Sequence, residues 1–324
     1  LAGWTSPRGP LRSTFLRMLR STLLAAARSS AVRAAVEAGP FDALVDRFVA
    51  GTTVDAAIAA AHRITADRLV TIDHLGEDTT ERAQADANVA AYRALLHRLG
   101  QEGLAGKVEV SVKLSAFGQR LPRDGEKIAL ESARQVCEAA AAVGTTVTVD
   151  MEDHTTTDAT LATVRDLRVD FPWVGAVLQS QLRRTEADCR DLAGPGSRVR
   201  LCKGAYAEPE SVAYRSAAEV DLSYVRCLKI LMAGQGLPMV ATHDPRLVAI
   251  ARHLAGRAAR SVDDYELQML YGVRPHEQVD LAARGLRVRV YLPYGTEWFG
   301  YFMRRLAERP ANLIFFARSL LTRG

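Results

Sequence analysis

Eight short segments rich in β-branched residues recur along the chain, most of them closing on a polar residue, with stretches of helical periodicity or composition between them. They are residues 69–73 (LVTID), 108–113 (VEVSVK), 146–150 (TVTVD), 175–179 (GAVLQ), 198–202 (RVRLC), 237–242 (LPMVAT), 265–270 (YELQML) and 287–291 (RVRVY). The stretches between them include TERAQADANVAAYRALLHRL, EKIALESARQVCEAAAAVG, ATLATVRDL and PESVAYRSAAEVDLSYVRCLKILMAG. Strands that alternate with helices in this way build a parallel sheet, because each helix carries the chain back to start the next strand in the same direction. Eight such units within about 250 residues predict an α/β fold of the (β/α)8 TIM-like barrel type. Residues 67–324 then form the barrel domain, and residues 1–66 a basic helical arm with extra N-terminal helices packed outside it.

Four of the strands alternate charged and apolar residues. Glu109, Ser111 and Lys113 share one face of VEVSVK and the valines the other; TVTVD sets Thr146, Thr148 and Asp150 opposite Val147 and Val149. Arg198 and Arg200 follow the same rule, as do Arg287, Arg289 and Tyr291. Helices cover the outside of a barrel, so the valines point outward and the charged set points in. A buried unpaired charge costs several kcal/mol, so Glu109 is expected to pair with the inward arginines as a structural layer low in the barrel. Lys113, Asp150, Gln179, Tyr291 and the residues near Thr242 stand at the carboxyl ends of strands, where barrel enzymes build their sites.

Composition narrows the partners. The net charge is +5, from 42 basic and 37 acidic side chains. Residues 1–36 carry six of the arginines and no acid, so the rest of the chain is nearly neutral and no general nucleic-acid-binding face is expected. That arm is Arg-rich, Ser-rich and apolar at helical spacing; a transit peptide, a peripheral membrane helix and a packed N-terminal helix all fit. No apolar run reaches the roughly 18 residues that a spanning helix needs. The four cysteines (Cys137, Cys189, Cys202, Cys227) form no C-x-x-C pair, so a reducing compartment, the cytoplasm, is the default, with the inner face of the plasma membrane as the surface the arm would meet.

Two constellations carry chemistry. Asp150, Glu152, Asp153 and His154, with His243 and Asp244, include acids and histidines suited to a metal-dependent barrel hydrolase, although consecutive acids after a strand point in different directions. Lys113, Arg200, Lys203, Arg304 and Arg305 are cations at strand ends and in one helix; the adjacent arginines either form a solvated helix face or clamp a carboxylate by forked hydrogen bonds.

The segments VSVKLSAFG, VDMEDHTTTDATL, VLQSQLRRTEADC, RVRLCKGAY, VATHDP, YELQMLYGVRP, RVRVYLPYG and YFMRRLAERPANL follow one another in the order seen in one enzyme family. From near residue 40 to its C-terminus the chain resembles the monofunctional bacterial proline dehydrogenases, FAD-dependent enzymes with a distorted (β/α)8 barrel. The resemblance implies oxidation of L-proline to Δ1-pyrroline-5-carboxylate, the first step of proline catabolism to glutamate, by hydride transfer to flavin N5. Electrons would pass to a membrane quinone. It implies that Lys113, Arg304 and Arg305 hold the proline carboxylate, that Tyr206, Leu270 and Tyr291 wall the ring, and that Asp150 sets the polar network around them. It implies flavin contacts for Met151, Gln179, Arg200, Lys203, Gly204, Ala205, Thr242 and His243, with Arg200 near N5, and a gate of Glu77 with Arg304. No metal belongs to that set. Cys202 stands where an aliphatic residue is usual and Gln181 where an aromatic is commoner. The chain ends soon after the barrel segments, so a separate pyrroline-5-carboxylate dehydrogenase is expected downstream.

Overall fold

The strand valines and isoleucines pack under helices, and the polar residues between them turn to the inside. In the computed structural model, which describes residues 42–77 and 79–308, eight parallel strands close into a barrel in chain order. They are β1 Leu69–His74, β2 Val108–Val112, β3 Val147–Val149, β4 Gly175–Gln179, β5 Arg198–Cys202, β6 Leu237–Ala241, β7 Glu266–Leu270 and β8 Val288–Tyr294. β8 returns to pair with β1, Tyr291 opposite Thr71 and Pro293 opposite Asp73. All eight expected segments are strands, to within a few residues at their ends.

The helices are α1 Asp42–Asp46, α2 Val54–Ile64, α3 Arg82–Gln101, α4 Gly125–Val143, α5 Thr157–Asp170, α6 Thr185–Asp191, α7 Ala217–Ala233, α8 Pro245–Arg257, α9 Pro275–Ala283 and α10 Trp298–Glu308. Ala50–Thr296 forms one compact unit that holds the barrel with α2 to α9. Leu1–Val49 and Glu297–Gly324 form the other, of which α1 and α10 are described. The basic segment 1–36 lies outside the described residues. Among the described residues no helix is long and apolar enough to cross a membrane.

The outer layer of the barrel is apolar. Val110, Val112, Val147 and Val149 join Leu95 and Leu99 of α3 and Ala133, Val136 and Ala140 of α4 in one buried cluster. Burying side chains of this size contributes about 1.5–3 kcal/mol each. Helix caps then set the loops of the mouth. Ser216 and Glu219 close a capping box at the start of α7, and Asp244 accepts from the Arg246 amide with Pro245 in the first turn of α8. β6 therefore passes into α8 within a few residues, and Thr242 and His243 are left at the strand end.

Inside the barrel the floor is ionic, as the alternation predicts. Glu109 is 1% exposed. Its carboxylate accepts from Thr71 (2.7 Å), Thr146 (3.0 Å) and Thr148 (3.3 Å), and it pairs with Arg198, with Arg200 at 3.5 Å and with Arg289 at 3.8 Å. Arg289 also forks onto Glu266 at 2.8 and 3.2 Å, and Arg287 reaches Glu266 at 3.3 Å. Gly175 on β4 leaves room for this layer, since a Cβ there would come within 2.6 Å of the Thr148 hydroxyl and 3.3 Å of the Met239 methyl. Burial alone would push the Glu109 carboxyl up; the guanidiniums of Arg289, Arg198 and Arg200 outweigh it and hold the group well below the usual carboxylate range.

Replacing Glu109 by Gln leaves Arg198 beside Arg200 and Arg289 without the carboxylate between them. Urea unfolding is expected to show a loss of about 3–5 kcal/mol, whereas Thr71→Val, which removes one hydroxyl donor, is expected to cost about 1 kcal/mol. Because the folded carboxyl titrates below its unfolded value, the gap between wild type and Glu109→Gln is full above pH 4.5 and narrows as the pH falls below it.

Candidate active site

Lys113 follows β2, and its ammonium meets three carboxylates from two other strand ends and one loop. Nζ lies 2.6 Å from Asp73 Oδ2, 3.4 Å from Asp150 Oδ2 and 3.7 Å from Glu77 Oε1. It also donates to the Tyr291 hydroxyl at 3.2 Å, and that hydroxyl donates to Asp150 Oδ2 at 2.6 Å. The other oxygen of Asp150 accepts from Ser111 Oγ at 2.8 Å and from Arg200 Nη1 at 2.6 Å. Asp150 thus joins Lys113, Tyr291 and Arg200, and is more than a partner of Lys113.

The charges of this cluster shape one another. Burial would discharge Lys113, but Asp73, Asp150 and Glu77 together hold its pKa well above that of an ordinary lysine. Asp150 is pulled below its usual range by Lys113 and Arg200 against the effect of burial. Asp73, with one cation to share and two acids beside it, is pushed up, chiefly by burial. Burial and the facing Asp150 also raise Tyr291, so its hydroxyl remains a proton donor.

Arg200 is 5% exposed and its guanidinium is held on every side. Nε donates to Gln268 Oε1 at 2.6 Å, Nη1 to Ser111 Oγ at 3.0 Å as well as to Asp150, and Nη2 approaches Glu109 at 3.5 Å. The Tyr291 ring lies 5.2 Å from its central carbon, within the range of a cation–π contact. One residue of the mouth is thereby tied to the floor.

The expected cofactor-side residues gather at the ends of β3 to β6. Met151 is buried, and Gln179 donates to the Glu152 carbonyl at 2.6 Å. Glu152 in turn accepts from the amide and hydroxyl of Ser115, at 3.0 and 2.6 Å, tying the loop after β3 to the turn after β2. Gly204 has φ +105°, and a Cβ there would come within 2.3 Å of the Gln181 side chain. Ala205 and Tyr206 continue this turn and are half-buried. Lys203 pairs with Asp221 at 2.6 Å and reaches Asp244 at 3.7 Å. Thr242 accepts from the Asp244 amide at 3.1 Å. His243 Nε2 accepts from the Leu270 amide at 2.8 Å, so the proton of the neutral ring sits on Nδ1. Leu270 is half-buried at the end of β7.

Arg304 and Arg305 lie on α10 in the other compact unit, where the Arg305 guanidinium stands 5.0 Å from the Tyr301 ring. Within the barrel unit Glu77 faces Lys113. The constellation considered for a metal is divided: Asp150 serves Lys113 and Arg200, His154 pairs with Glu208, and His243 takes the Leu270 amide. Among the described residues no group of three His, Cys, Asp or Glu side chains is arranged to hold a metal ion.

Three participants lie outside the set expected to meet proline and flavin. Asp73 is the nearest carboxylate to Lys113, and its signal was the closing Asp of LVTID, which matches the closing Asp of TVTVD. Gln268 gave no signal of its own, since Arg200 lies 68 positions away on another strand, and Glu152, grouped in the sequence with the acids considered for a metal, instead ties the loop after β3 to Ser115.

A family model described as proline dehydrogenase matches residues 57–318. The chain is 36% identical to proline dehydrogenase 1 of Bacillus subtilis over 276 residues, 85% of this chain and 90% of that protein. It is 38% identical to proline dehydrogenase of Deinococcus radiodurans over 281 residues, 86% and 90% of the two chains. Among solved structures it is similar in fold to proline utilization A from Bdellovibrio bacteriovorus inactivated by N-propargylglycine. The TM-score is 0.78 at 24% identity, over 90% of this chain and 36% of that one.

The acid cluster makes a prediction about Lys113. Asp73→Asn removes the carboxylate nearest to the ammonium, so burial gains ground and the lysine pKa falls. Labelling of Lys113 by an amine-reactive reagent, followed by mass spectrometry from pH 7 upward, is expected to rise severalfold in the variant as more neutral amine is present. Equal rates at every pH would show that Asp73 does not hold the charge.

Proposed function

The chain belongs to the proline dehydrogenase family, and from that membership we propose that it oxidises L-proline to Δ1-pyrroline-5-carboxylate at the mouth of the barrel, with FAD as the acceptor and a membrane quinone as the outlet for electrons. The observation that carries the reading is Lys113 fixed among Asp73, Asp150 and Tyr291 with Arg200 alongside, Lys113 and Asp150 directly following the carboxyl ends of β2 and β3.

Proline is a small zwitterion. Its carboxylate needs a cation and its ring nitrogen needs acceptors, and the cluster offers both within a few ångströms. Lys113 supplies the cation; Asp73, Glu77 and Asp150 supply an excess of negative charge that suits the ring ammonium. The ring nitrogen gives up one proton so that its lone pair can form the C=N bond as a hydride leaves the neighbouring ring carbon. The Tyr291 and Leu270 side chains limit the room for the ring.

FAD, when bound, supplies the two-electron acceptor for that hydride. The residues present suit it. Gly204 provides a turn that a Cβ would fill, allowing close backbone approach. Arg200 is a permanent, immobilised cation of the kind that favours negative charge on a reduced flavin. His243 carries its proton on the ring nitrogen turned away from Leu270, and Lys203, Ala205, Thr242, Gln179 and Met151 surround the same strand ends. The product would pass to a separate pyrroline-5-carboxylate dehydrogenase, and the basic segment 1–36 would meet the anionic membrane surface near the quinone.

The purified protein is expected to be yellow and to lose its flavin absorbance when proline is added without oxygen; a colourless protein, or one indifferent to proline, would reject the reading. Lys113→Met is expected to keep flavin and to raise KM for proline on the order of ten- to a hundredfold, the value of a charged hydrogen bond of roughly 1.5–3 kcal/mol. Gly204→Ala is expected to lose flavin on gel filtration, measured as the ratio of visible to ultraviolet absorbance, because the new methyl meets Gln181 and the backbone is held at φ +105°.

A further inference from the structure

Gln268 on β7 lies between a charge of the floor and the arginine of the mouth. It is 4% exposed. Its carbonyl oxygen accepts from Arg200 Nε at 2.6 Å, and its amide nitrogen donates to Glu266 Oε1 at 2.6 Å. Only one orientation of the carboxamide satisfies both neighbours. A carboxylate can only accept and a guanidinium can only donate, so the reverse orientation would set donor against donor and acceptor against acceptor. The orientation is therefore dictated by chemistry. Glu266 is itself immobile, 0% exposed and forked by Arg289.

We propose that Gln268, oriented by Glu266, is a positioning residue that fixes the Nε edge of Arg200 and so the direction in which its charge meets the flavin. The proposal rests on the reading above, in which Arg200 faces that cofactor. The remaining contacts of Arg200 lie on its other edges. Ser111 and Asp150 hold Nη1, Glu109 stands 3.5 Å from Nη2, and the Tyr291 ring covers a face. Removal of the Gln268 oxygen frees the guanidinium to turn about the Asp150 contact, toward the carboxylates and away from a fixed aim. A group held in place acts at once on charge that develops in the reaction, whereas a mobile one must first reorganise.

The test uses the flavin-loaded protein and measures the flavin midpoint potential, the rate of flavin reduction by proline in stopped flow, and KM. Gln268→Met keeps the volume and removes both hydrogen bonds. Flavin is expected to stay bound, the potential to become more negative, and the reduction rate to fall on the order of ten- to a hundredfold, with KM little changed. Gln268→Glu keeps the shape and, once protonated, can donate to Glu266 and accept from Arg200. Its reduction rate relative to wild type is expected to recover as the pH is lowered, while that of Gln268→Met stays low; this second variant also serves if the first does not fold. Arg200→Met is measured alongside. If it moves the potential and neither Gln268 variant does, the positioning role is wrong while the placement of Arg200 stands. If none of the three moves the potential, the placement of Arg200 fails and the inference falls with it.

Discussion

Everything in the interior of this barrel depends on Arg200 being paired at both ends of its reach. A guanidinium that is 5% exposed is tolerable only with its donors satisfied. Asp150 and Ser111 take one terminal nitrogen, Gln268 takes Nε, and Glu109 approaches from the floor. Those partners sit on β2, directly after β3 and on β7, so the barrel must close in its observed register for the charge to be buried at all. Glu109 then requires Arg198 and Arg289, and Arg289 requires Glu266. The site at the mouth and the ionic floor are one connected structure.

This connection gives the mouth its rigidity. A binding constellation works when its members are locked by neighbours that do not themselves move. Asp150 is held by Ser111, Tyr291, Lys113 and Arg200 together, and Tyr92 donates to the Ser111 carbonyl at 2.6 Å while lying 3.3 Å from Asp73. On the proposed reading, the side chains that would meet a small zwitterion are placed before it arrives, and little ordering remains to oppose binding.

The alternation of charge and valine in VEVSVK, TVTVD, RVRLC and RVRVY made the closed barrel and its ion-paired floor legible in the sequence. Glu109, Arg198 and Arg289 meet as that alternation requires. Lys113 and Asp150 were legible too, because a polar residue at the carboxyl end of a parallel strand has few other places to point; Tyr291 was legible from the alternation of RVRVY, although β8 runs on to Tyr294. What stayed hidden depends on closure. Asp73 ends a strand that otherwise reads as apolar, and its meeting with Lys113 across 40 positions follows from the pairing of β1 with β2. Gln268 gains its role from Arg200, 68 positions away, and its orientation from Glu266 two positions before it on the same face. An uncharged amide in YELQML has no pattern that announces either partner.

Among the described residues of the barrel unit, the five carboxylates and five cations named in the contacts above are divided unevenly. The floor holds Glu109 and Glu266 against Arg198, Arg287 and Arg289; the mouth holds Asp73, Glu77 and Asp150 against Lys113 and Arg200. Over these ten groups the floor is one charge positive and the mouth one charge negative, with Arg200 and Glu109 on the boundary. An acid excess at the mouth fits the rise in the Asp73 pKa, for which burial is the largest cause and neighbouring acids add to it. It also means that Lys113 remains charged in a site where burial alone would discharge it. A ligand that brings both an ammonium and a carboxylate can replace interactions on each side of this imbalance without leaving a new unpaired charge behind. A purely anionic ligand cannot, and on the proposed reading that difference favours an amino acid over a simple carboxylic acid.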